Sequence, residues 1–168
     1  MNSKHVLIPL NLVRGTADPL VFAQQLALER PLLITLLHVV DLNIAPALRV
    51  YSQLCAESEA ALRKLAKLFF GSDQAVRVVV RVGRTADEIL AEAEAAAADM
   101  IVLSHPVCSK GLRLFRGATT RAVLRRASCP TVVLPHPEKD APQCLRLRQR
   151  VSSEAWAVAS IEETSAAA

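Results

Sequence analysis

Apolar positions along this chain alternate between two periods, short continuous runs and longer stretches at helical spacing. His5–Leu10 is a near-continuous apolar run, the pattern of a strand buried on both faces. After a loop at Asn11–Ala17, Asp18-Pro19 reads as an N-cap followed by a first-turn proline. Ala23, Leu26, Ala27 and Arg30 continue at helical spacing until Pro31 stops the helix. Leu32–Val40 is a second strand, apolar except at Thr35 and His38. A second helix runs to about Phe70, with Leu54, Ala61, Leu62, Leu65, Leu68 and Phe69 on one stripe, and Gly71 ends it in the left-handed conformation. Val76–Val82 is a valine-rich third strand. Thr85-Ala86-Asp87-Glu88 reads as a capping box, and Ile89, Leu90, Ala93 and Ala97 form the buried face of the third helix. Met100–Ser104 is the fourth strand, followed by the loop Ser104–Arg116, Gly117 and a helix to about Ala127. Thr131–Leu134 closes the series, flanked by Pro130 and Pro135 as an edge strand would be.

Regular strand–helix alternation implies α/β architecture: a doubly wound, five-stranded parallel sheet with helices on both faces and right-handed crossovers. If the strand order is 3-2-1-4-5, the winding reverses between strands one and four, and the loops at Asn11 and Ser104 meet in one crevice. Any chemistry is therefore expected at Ser104–Gly117. Residues 1–135 form one domain on this reading, and residues 136–168 a C-terminal extension. Pro137 and Pro142 interrupt that extension, Arg146, Arg148 and Arg150 stand between apolar residues, and Trp156 could anchor it. Two readings stay open: a poorly ordered tail, or an arm packed on the body or on a partner subunit.

Composition narrows the class. At 168 residues, 52% hydrophobic and 21% charged, the chain suits one globular domain. Its apolar runs stop well short of the roughly 20 residues of a membrane span. Met1–Val6 leads directly into a strand with no secretory h-region, so the expected location is the cytoplasm. Cys55, Cys108, Cys129 and Cys144 share no C-x2-C spacing, and His5, His38, His105 and His136 do not cluster, which argues against a zinc site. Cys55 and Cys129 read as small hydrophobes, while Cys108 beside Lys110 could be a more reactive thiol. The net charge of +4 is unevenly spread. Between Ile101 and Pro137 stand Lys110, Arg113, Arg116, Arg121, Arg125 and Arg126 without one acidic residue. Lys110, Arg113 and Arg116 could attract an anion, whereas Arg121, Arg125 and Arg126 read as a solvated helix face. Phe115 is the one aromatic of this segment, and no nucleic-acid-binding signature accompanies it.

Four segments together resemble the universal stress protein family over roughly Lys4–Pro135. They are His5-Val6-Leu7-Ile8-Pro9-Leu10, Leu36-Leu37-His38-Val39-Val40-Asp41, Gly83 to Leu90 with Ala98 to Leu103, and Gly117 with Val123 to Leu134. The resemblance implies the adenine nucleotide alpha hydrolase-like sheet order 3-2-1-4-5. It also implies a homodimer through the last strand, Thr131–Leu134. Many members bind ATP or another adenine nucleotide through an Asp at the exit of the first strand and a Gly-x2-Gly-x9-Gly-Ser/Thr loop. Here Asn11 stands at the Asp position. The loop positions fall on Ser104, Val107, Gly117 and Ala118, with Thr119 next, so one glycine of three remains. A valine at the second glycine resists positive φ and crowds a phosphate, and Ala118 offers no hydroxyl. The resemblance implies that any nucleotide would lie at Pro9, Leu10, Asn11, Val39, Leu103, Ser104, Val107, Gly117, Ala118 and Thr119. Lys110, Arg113, Arg116 and the amides near Gly117 still favour an anion.

Three functions follow. The first is a non-catalytic, dimeric stress-response protein with weak or no ATP binding. The second is a sensor of ATP or AMP with a variant loop, the only cofactors the resemblance suggests. The third is a nucleotide hydrolase. Neither G-x4-GK-[ST] nor a locally spaced catalytic triad or carboxylate pair supports it, and His105 and Ser109 read as ordinary loop surface.

Overall fold

The computed structural model describes residues 3–12, 17–41, 48–72, 74–107 and 117–137. Five strands, β1 (Lys4–Pro9), β2 (Leu32–Asp41), β3 (Ala75–Gly83), β4 (Met100–Val107) and β5 (Thr131–Pro137), alternate with four helices. The helices are α1 (Asp18–Glu29), α2 (Leu48–Phe70), α3 (Thr85–Ala95) and α4 (Ala118–Arg126). The sheet is parallel throughout, in the order β3-β2-β1-β4-β5. The tail beyond Pro137 lies outside the described residues.

Strand β1 is central, so its side chains are buried on both faces. Val6 and Ile8 join Leu20, Ala23, Leu62 and Leu65 under α1 and α2. Leu7 joins Leu37, Ile89, Ile101 and Val123 under α3 and α4. Each such side chain contributes about 1.5–3 kcal/mol relative to exposure. This accounts for an apolar run without alternation.

Pairing along the sheet is uneven. β1 and β2 are in register over six residue pairs, from Lys4↔Leu32 to Pro9↔Leu37. β1 and β4 share only Val6↔Met100 and Leu7↔Ile101. That seam is fastened at its lower end. The Asp99 carboxylate accepts the His5 N–H at 2.8 Å and the Lys4 ammonium at 2.7 Å, and the Asp99 N–H returns to the His5 carbonyl at 2.9 Å. The His5 ring donates from Nδ1 to the Ala96 carbonyl, because a carbonyl can only accept. Its Nε2 shares a hydrogen bond with the Thr35 hydroxyl at 2.8 Å.

Several elements differ from the sequence reading. β4 runs on to Val107 because β5 continues beside it, pairing His105↔Pro135, Pro106↔His136 and Val107↔Pro137. The prolines do not end β5. Ile101 donates to the Pro130 carbonyl, which fixes the alternation. The even-numbered residues of β5 then donate to β4, and Pro135 and Pro137 fall where an N–H would face the free edge. The α1 N-cap is Ala17 rather than the expected Asp18, which lies in the first turn. The capping box at Thr85–Glu88 is not formed either. The N-cap is Arg84, and Glu88 instead bonds Arg81 at 3.2 Å. Gly83 makes this possible, since a Cβ there would stand 2.5 Å from Glu88 Oε1. Leu68 is 55% exposed rather than on the buried stripe of α2. Gly71 has the expected left-handed φ of +67°.

Ala97 is not part of the buried helix face but lies past its end, exposed at φ +47°. Ala98 N–H reaches the Ala93 carbonyl and Ala97 N–H the Glu94 carbonyl, a Schellman ending that usually carries glycine at the left-handed position. Ala97→Gly should therefore stabilise the fold by about 0.5–1 kcal/mol in urea unfolding. The Lys4 ammonium and the His5 N–H hold the Asp99 carboxyl below its usual value. Its stabilising effect is present above about pH 3.9 and fades as the pH falls through the lower folded value. Asp99→Asn should be less stable than wild type at pH 7, and the gap should close on acidification.

Candidate functional site

The short β1–β4 seam leaves the carboxyl ends of those strands apart, at the point where the winding reverses. Leu10 continues the β1–β2 ladder past the last rung that β1 shares with β4. Its N–H donates to the Leu37 carbonyl at 2.7 Å, and its carbonyl accepts from His38 Nδ1 at 2.8 Å. Between the diverging ends lies a cavity of about 430 Å³. The strand ends line it with Pro9, Leu10, Asn11, Leu12, Leu37, His38, Val39, Val40, Asp41, Leu103 and Ser104. Helices α2, α3 and α4 add Leu54, Ser58, Thr85, Ile89, Thr119 and Thr120.

Seven of the positions expected from sequence therefore share one space: Pro9, Leu10, Asn11, Val39, Leu103, Ser104 and Thr119. Val107 does not lie in a loop but at the end of β4, opposite Pro137. Ala118 is the first residue of α4. Lys110, Arg113 and Arg116 lie outside the described residues, as do Cys108, Ser109 and Cys144. Sequence reasoning missed Ser58, Thr85 and His38 as lining residues. A serine buried within the apolar stripe of α2 was a signal for the first of these.

Gly117 caps α4 with φ −72°, an ordinary value for any residue. Space, not backbone freedom, calls for glycine here. A Cβ would stand 3.1 Å from Cε1 and 3.2 Å from Nδ1 of His105, and 3.3 Å from the Thr120 hydroxyl. His105 is not loop surface, as expected from sequence, but a strand residue only 2% exposed. The strand extension carries it under the start of α4.

The electrostatics of the cavity are mild. His38 and Asp41 are its ionisable lining residues among those described. Burial lowers the His38 pKa from its ordinary value, opposed in part by the hydrogen bond to the Leu10 carbonyl, so the ring is neutral at pH 7. The expected run of unopposed cations is interrupted in space, because Arg126 bonds the Asp87 carboxylate at 2.6 Å and holds its pKa down. The thiols of Cys55 and Cys129 are free and half-buried; burial raises the pKa of Cys129, which packs against the α3–α4 core. Among the described residues no three potential ligands gather as a metal site, and no helix is long and apolar enough to cross a membrane.

A sequence model of the universal stress protein family matches residues 2–135. No curated protein sequence matches the chain. Among solved structures, the universal stress protein UspA from Lactobacillus plantarum superposes with a TM-score of 0.64 at 21% identity, covering 80% of this chain and 99% of that one. Hypothetical protein MJ0577 gives 0.65 at 20% identity, over 81% and 98% of the two chains. A universal stress protein family protein of Arabidopsis thaliana with AMP bound gives 0.52 at 16% identity, over 83% and 96%.

The packing at Gly117 yields a graded expectation. Gly117→Ala should cost about 1 kcal/mol in chemical denaturation, and Gly117→Val more, as the added methyls press on the His105 ring.

Proposed function

Because the chain belongs to the universal stress protein family, we propose that it is a non-catalytic stress-response protein of the cytoplasm. On this reading its crevice takes an adenine nucleoside or mononucleotide and holds ATP weakly or not at all. The observation that carries the reading is the lining of the cavity. The room for a nucleoside is kept at the switch point, while the features that grip a phosphate chain are reduced. Asn11 and Ser104 occupy the Asp and first-glycine positions, and Val107 sits within β4 rather than in a glycine-rich turn. A neutral His38 would not attract added phosphates. The amides at the start of α4 favour one anionic group near Thr119. The related Arabidopsis thaliana protein, similar in fold, holds AMP.

The same reading has the protein acting as a homodimer through the Thr131–Leu134 part of β5. Residues 136–168 are on this view an extension to the domain. Thr131 and Val133 direct their N–H groups to the free edge, whereas Pro135 and Pro137 have none to offer. Pairing between copies is thus favoured over the first half of the strand.

Calorimetric titration with adenosine, AMP and magnesium ATP tests the ligand assignment. Adenosine or AMP should bind, with ATP no tighter than AMP. ATP binding tenfold or more tighter than AMP, or phosphate release from ATP above the buffer blank, would overturn the reading.

A further inference from the structure

His38 occupies a particular position in the crevice. Its Nδ1 is bonded to the Leu10 carbonyl, and a carbonyl has no proton to give. The neutral ring is thereby fixed as the Nδ1–H tautomer, and Nε2 carries a lone pair on a residue that lines the cavity. Leu10 O thus holds both the tautomer and the orientation of the ring. We propose that His38 is a specificity-determining residue of this crevice: its Nε2 accepts a hydrogen bond from an N–H or O–H of a bound nucleoside, so the ligand is held by the neutral ring and released when the ring is protonated. The inference rests on the reading of the cavity as a nucleoside site.

The surroundings of the ring favour this role. Leu54 and Ser58 line the cavity from α2, and Asn11 from the exit of β1. Val80 is the register partner of His38 on β3. Asp41, three residues along β2, is the one other ionisable lining group among the described residues. Burial outweighs the hydrogen bond to the Leu10 carbonyl, and the ring remains neutral near pH 7. A neutral acceptor suits a ribose hydroxyl or an exocyclic amine. It opposes an ionised phosphate oxygen, which presents lone pairs of its own. The same atom thus distinguishes a nucleoside edge that donates from a phosphate that does not.

Adenosine is the probe, because it carries no charge between pH 5 and 8. Its affinity for the full-length protein, measured by calorimetry across that range, should be constant near neutrality. Below the His38 pKa it should fall by roughly tenfold per pH unit. His38→Gln, which can still accept but does not titrate, should bind with a flat profile. A wild-type profile that stays flat through the His38 pKa located by NMR, or an equal slope in His38→Gln, would overturn the role of His38 while leaving the nucleoside site standing. No adenosine binding at any pH would overturn both. An NMR titration of the wild-type imidazole gives a second readout that needs no variant: adenosine should lower the His38 pKa, and a pKa unmoved by saturating adenosine would refute the contact.

Discussion

The site in this protein depends on a shortage of backbone pairing. β1 is bound along its whole length to β2 but meets β4 over two residue pairs, directly above the knot of Lys4, His5 and Asp99. Fastened below and unpaired above, the two strands part toward their carboxyl ends. The Leu10–His38 bond ties the end of β1 to β2. A cavity forms there because the ladder between β1 and β4 stops at Leu7 and Ile101, short of the strand ends.

The sheet was legible in the sequence because burial on both faces leaves a continuous apolar run, and regular alternation with helices permits few topologies. The strand ends were not. Pro135 reads as a terminator until the direction of its missing N–H is known, and that direction depends on the pairing of Ile101 with Pro130. Helix starts were misread for a similar reason. Asp18, Thr85 and Glu88 are suited to capping, yet Glu88 is taken by Arg81 across the space left at Gly83. Of the site, the strand-end residues could be inferred from topology. The contributions of Ser58 and Thr85 required knowing how the helices lean over the sheet. His38 was visible as a polar interruption of β2, but its tautomer comes from a carbonyl 28 residues away.

One buried charge had no sequence signal. Glu92 is 1% exposed within the face of α3. It is tolerated because Arg77 and Arg81, four residues apart on one face of β3, both reach it, with Arg81 Nε at 2.8 Å from Oε2. Leaving that carboxylate without its partners would cost about 3–5 kcal/mol. The ion cluster fixes α3 against the sheet and so holds Thr85 and Ile89, at the start of the same helix, in the cavity wall. The charges on β3 thereby contribute to the shape of the crevice.

The arrangement of Pro135 and Pro137 also bears on solubility. Any parallel sheet that does not close into a barrel ends in two strands with unspent hydrogen-bonding capacity, and those strands are templates for runaway aggregation. This fold blunts its two margins differently. β3 carries the guanidinium groups of Arg77 and Arg81, engaged with α3 and costly to strip of water. β5 is left donor-free over its second half, so a chain that began to pair there would run out of partners within a few residues. The outer strands can admit a chosen neighbour over a short span while resisting growth into a cross-β stack.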